Sequence, residues 1–135
     1  MSKLVTDLKS DHQALLGLLE KVTNLKIPRK ERVETLMGAK NALLGHLKKE
    51  SDHLYPALKK FADQDPKLKA TLDTFATEME GVSKLAIEFF AKHTGSAEVQ
   101  SDEFAKDLGK LIILLKQRIS REESIIYQEY DKRAA

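Results

Sequence analysis

Apolar residues recur at steps of three and four along almost the whole chain, the period of helices that bury one face. Breaks interrupt that period at three places. They are Ile27-Pro28, where the residue before proline disfavours helical backbone, the turn Asp63-Gln64-Asp65-Pro66, and His93-Thr94-Gly95-Ser96. The pattern predicts four helices and no sheet. The first runs from about Lys3 to Leu25, the second from Arg29 to Phe61 with a bend at Pro56, and the third from Pro66 to Lys92. A loop to Gln100 leads to a cap at Ser101 and a fourth helix ending near Tyr130. Long helices joined by short loops predict an antiparallel up-down four-helix bundle, all-α, formed as one domain over residues 1–135.

Tracing each seam by its steps gives Leu4, Leu8, His12, Leu15, Leu19 and Val22 in the first helix. The second gives Leu43, His46, Glu50, Leu54, Leu58 and Phe61, and the third Leu68, Leu72, Phe75, Met79, Val82, Ala86 and Phe89. The fourth gives Phe104, Leu108, Leu111, Leu115, Arg118, Glu122 and Ile125. The two halves also resemble each other. HLKKESDHLYP at 46–56 lies over RISREESIIYQ at 118–128, and DHQAL at 11–15 over EMEGV at 78–82, a weak twofold repeat of a helix hairpin.

Composition narrows the chemistry. There is no Cys, so thiolate ligands, disulfides and a cysteine nucleophile are all excluded. With 23 basic and 21 acidic residues of interspersed sign, bulk charge does not drive nucleic-acid binding. The longest purely apolar run, Leu111 to Leu115, is far too short for a membrane span, and the first residues lack the apolar stretch of a signal peptide, so the expected compartment is the cytoplasm. No oriented nucleophile, phosphate loop or cofactor fingerprint is visible, and a binding role rather than an enzymatic one is expected.

Five polar residues stand in the seams: His12, His46, Glu50, Arg118 and Glu122. Buried charge must be answered by a partner or a cation. His46 and Glu50, four apart, share one helix face, and imidazole with carboxylate suits iron, manganese or zinc.

With Asp11-His12, His46-x-x-x-Glu50, the following Leu54-Tyr55-Pro56 and Glu122-Glu123, the chain resembles the hemerythrin-like, or HHE cation-binding, family over nearly its whole length. The resemblance implies two irons between the helices, held by His from every helix and bridging Glu from the second and fourth, with oxygen binding, oxygen or nitric oxide sensing, or iron handling as the role. Two positions depart from that pattern. Met79 stands where the third helix would supply His, and Arg118 stands four before Glu122. Neither replaces imidazole on iron, whereas Arg118 can take a cation's place against Glu122 or Glu50. The expected site is therefore one ion, iron ahead of zinc or manganese, on His12, His46, Glu50 and Glu122, with a diatomic gas as its ligand. The alternative is an empty site in a metal-free regulatory or protein-interaction bundle whose centre is the Arg118 network. A phosphotransfer histidine is disfavoured because His46 faces the core.

The bland expectations are equally specific. Arg118 with Glu122 reads as a buried salt bridge, Met79 as core, His53 as half-exposed and His93 as a helix-end residue. Tyr55 and Tyr127 are expected to pack with their hydroxyls at the rim. Gly17, Gly38, Gly45, Gly81 and Gly109 lie inside helices, where they permit close approach or leave room for a ligand.

Overall fold

Four rods account for the described residues, and their starts and stops follow local chemistry. The computed structural model describes residues 2–93 and 102–134. Helix α1 (Lys3–Thr23) starts at Ser2, whose hydroxyl accepts the Val5 amide at 3.2 Å. The second rod is α2 (Arg29–Lys49), a π-helical turn (Glu50–Leu54) and α3 (Tyr55–Ala62) in unbroken succession. Helix α4 (Pro66–Lys92) has Asp65 as its cap, accepting the Leu68 amide at 3.1 Å, with Pro66 in the first turn where no amide is missed. The fourth rod is α5 (Asp102–Arg121), a π-helical turn (Glu122–Ile126) and α6 (Tyr127–Ala134). No strand occurs among the described residues. The stop at Thr94-Gly95-Ser96, the loop to Gln100 and the cap at Ser101 lie outside them.

Most seam positions bury as their period requires; Leu4, Met79 and Val82 are only half-buried, with Val5 fully buried beside Leu4, and the positions beyond the two glutamates are instructive. Each π-helical turn starts on a glutamate and closes with the amide five residues on bonding back to it, Tyr55 N–H to Glu50 and Tyr127 N–H to Glu122. The extra residue rotates everything downstream. Ile126, not the expected Ile125, is fully buried, and Ile125 is 38% exposed. Likewise Ala62 is buried while Phe61 is only half-buried. Pro56 is not the cause, because Gln128 occupies the matching place beside an identical turn.

Two hydrophobic clusters fill the ends of the bundle. One joins Leu15, Leu19, Leu43, Phe89, Phe104 and Leu111 with their neighbours. The other joins Leu8, Leu54, Leu58, Leu72, Phe75 and Ile126. Between them, at mid-height, the core turns polar. The helical glycines play no part in close packing, since a Cβ at any of the five described positions would meet nothing within 4 Å.

Candidate metal centre

The polar layer contains all four residues expected from the seams. His12, His46, Glu50 and Glu122 are each buried, and one ligand atom from each lies within 4.8 Å of the others. Their approach follows from the backbone. His12 stands one turn from Leu8 and Leu15 on the inner face of α1. His46 and Glu50 face inward one turn apart, with Glu122 opposite at the start of its own π-helical turn.

Both imidazoles are aimed. His12 Nδ1 is 2.7 Å from Glu123 Oε2, and His46 Nδ1 is 3.2 Å from Asp11 Oδ2, which also takes Lys49 Nζ at 2.9 Å. A carboxylate on Nδ1 fixes the proton there and leaves Nε2 as a lone pair facing the centre, the arrangement that orients metal-binding histidines. Burial keeps His12 below the usual imidazole range despite Glu123. For His46 burial acts in the same direction, but the nearby Glu50 and Asp11 carboxylates outweigh it and raise its pKa.

The two carboxylates share one site and cannot ionise alike. Burial, then the neighbouring Glu50 carboxylate, pushes Glu122 well above the usual range. Glu50 is also buried, yet the neighbouring Glu122 carboxyl, the His46 imidazole and the Tyr127 hydroxyl together hold it down at about 2. Glu50 Oε1 nevertheless has no hydrogen bond and lies 3.4 Å from His46 Nε2.

Sequence reasoning misplaced Tyr127. Its hydroxyl is not at the rim: the side chain is fully buried, donates to Glu50 Oε2 at 2.8 Å, and lies 3.1 Å from His12 Nε2 and 3.5 Å from His46 Nε2. The signal was present in the spacing. His46, Glu50, Leu54 and Leu58, like Arg118, Glu122 and Ile126, step by four alone, which drifts about 40° per step off one face of a regular α-helix. Only an inserted residue keeps such a series facing inward.

Arg118 occupies the mirror-image half. Its Nε is 3.4 Å from Glu122 Oε1, the expected salt bridge, while Nη2 donates to the Tyr55 hydroxyl at 3.0 Å and Nη1 to the Phe75 carbonyl at 3.1 Å. The guanidinium also lies 4.7 Å from the Phe75 ring centre. Tyr55 in turn sits 3.4 Å from Glu122 Oε2. The repeat therefore extends to contacts. Asp11 answers His46 as Glu78 answers Arg118 at 3.6 Å, and Lys49 pairs with Asp11 as Arg121 pairs with Glu78. The tyrosines cross over, with Tyr127 serving Glu50 and Tyr55 serving Glu122.

The other expectations resolve simply. Met79 is half-buried on a small cavity beside the imidazoles rather than packed in the core. His53 is exposed. His93 ends α4, with its amide on the Phe89 carbonyl and its Nε2 2.8 Å from Asp107 Oδ2.

A helical bundle whose apolar core is divided by a layer of imidazoles and carboxylates is a cation-binding architecture. A family model of the hemerythrin HHE cation binding domain matches residues 3–130, and the chain belongs to that family. Comparison with curated proteins and with solved structures gave no match. No helix among the described residues is long and apolar enough to cross a membrane.

Proposed function

We propose that the protein is a binding module for a single metal ion, iron before zinc or manganese, held by His12, His46, Glu50 and Glu122. The observation that carries this reading is Glu50 Oε1, a buried carboxylate oxygen without a hydrogen bond, beside two imidazoles whose Nδ1 atoms are already committed outward. Such a set lacks only a cation. Iron bound there would supply reversible electron exchange and affinity for dioxygen or nitric oxide, which supports a role in gas sensing or iron handling. The chain's own contribution is to exclude water through the two apolar clusters, to fix both imidazoles through Asp11 and Glu123, and to steady Glu50 through Tyr127. Arg118 stands where a second ion's imidazole would be and pairs with Glu122, which supports one ion rather than two.

The test is iron content and thermal unfolding of chelator-treated protein after loading with ferrous iron. A ligand at 100 times its dissociation constant stabilises by about 2.7 kcal/mol. For a chain of this size that is a rise of about 10 °C. Protein that retains no iron and melts at the same temperature refutes the reading. That result favours the alternative, a metal-free regulatory or protein-interaction bundle centred on the Arg118 network.

A further inference from the structure

Helix α4 packs against α3, and between α4 and the second rod a groove of about 1160 Å³ stays open. Its floor is apolar, formed by Tyr55, Pro56, Leu72, Ala76, Met79 and Ile87, and Ile87 is 59% exposed. Scattered exposed apolar residues are ordinary, whereas a continuous apolar groove marks a surface that something covers. The charges along its edge say what. Lys69, Asp73, Lys84 and Glu88 are exposed, line the groove and follow α4 in steps that keep them on one face. None of the four forms an ion pair among the described residues. Lys69 and Glu88 are equidistant from a point between Glu78 and Met79, and so are Asp73 and Lys84. Turning a second α4 end over end about that point sets every one of these cations against an anion, about 8 Å and about 14 Å along the helix from the axis. Near the axis stand Ala76 and Thr77, small enough for two helices to approach closely. The same turn lays Ile87 of one copy at the height of Ala70 in the other, beside Leu72 on the groove floor.

We propose that this groove and the outer edge of α4 form the interface of a twofold dimer of the chain. Two α4 helices run antiparallel in it, with Asp73 against Lys84 and Lys69 against Glu88 of the second copy. Exposed ion pairs add little affinity, so the apolar floor and Ile87 supply it while the charges set register and partner. Lys69 and Asp73, like Lys84 and Glu88, also stand four apart within one helix, and the mixing experiment below separates the two roles. The inference is independent of the metal reading.

The test is sedimentation equilibrium of the full chain up to about 100 μM, where a dimer with a dissociation constant of about 10 μM is mostly associated. Expected is a wild-type dimer. Asp73→Lys and Lys84→Glu each set like charges opposite one another twice per dimer, and each should weaken association about tenfold or more with circular dichroism unchanged. Mixing the two variants restores both pairs, so the equimolar mixture should associate about as tightly as wild type. Charges acting only within one helix give no such recovery. Wild type that stays monomeric overturns the proposal and leaves the groove to another chain or a small ligand. A dimer that neither substitution weakens, or single variants that stay monomeric when mixed, overturns the pairing and with it this interface.

Discussion

Changing Tyr127 to Phe keeps the ring and removes one oxygen from the centre of the bundle. That oxygen donates at 2.8 Å to Glu50, whose pKa of about 2 leaves it ionised at neutral pH, and whose other oxygen already has no hydrogen bond. A hydrogen bond to a buried charge contributes about 1.5–3 kcal/mol. A loss of about 2 kcal/mol in a chain of 135 residues corresponds to a Tm lower by about 7 °C. Tyr55 is the counterpart in the other half. Its hydroxyl accepts from the buried Arg118 Nη2 at 3.0 Å and lies 3.4 Å from Glu122 Oε2, so Tyr55→Phe also removes a bond to a buried charge and should likewise cost about 2 kcal/mol, or about 7 °C. The assay is thermal and urea unfolding of metal-free protein followed by far-ultraviolet circular dichroism. Tyr127→Phe within about 0.5 kcal/mol of wild type would refute the assignment of Tyr127 as the central donor.

Gly81→Ala should raise stability by about 1 kcal/mol, seen as a higher Tm, because the position is exposed, helical and open to a Cβ; a lower Tm would show a contact not visible in the packing. Replacing Met79 and Arg118 together by His, with Ser51→Glu to back the new imidazole as Glu123 backs His12, should raise bound iron from one to two per chain by elemental analysis. A ratio still at one would contradict the pairing of the halves. Asp65 is held below its ordinary 3.8 by the Leu68 amide, opposed by desolvation and reinforced by Arg133. Its folded pKa being the lower, its stabilisation is complete only well above the unfolded value of 3.8 and is lost progressively as pH falls through that value and then the folded one. The Tm difference between wild type and Asp65→Asn should therefore be positive at pH 6 and shrink toward zero in acid; a constant difference would refute the charge effect.

Much of the site was legible because burial and period are tightly linked in a bundle. His12 between Leu8 and Leu15, and Arg118 between Leu115 and Glu122, had to face inward once the helices were recognised, and the structure brings them to one depth. What escaped was the backbone irregularity. A seam drawn with ordinary α-helical steps arrives at Ile125 and Phe61 and leaves Tyr127 outside, whereas two π-helical turns redirect Ile126, Ala62 and Tyr127 inward. The glycines do not serve close helix approach, because no neighbouring side chain or backbone comes within 4 Å of a Cβ at any of the five.

The crossing of the tyrosines has a consequence for how the chain matures. Three of the four candidate ligands belong to the leading hairpin, but the hydroxyl that steadies Glu50 and the carboxylate that closes the set arrive on the last rod. A half-length fragment, or a nascent chain stalled before residue 122, would present an incomplete and wet trio of donors. Ion capture by such a cluster would thus be a late event, reporting that the final helix has docked.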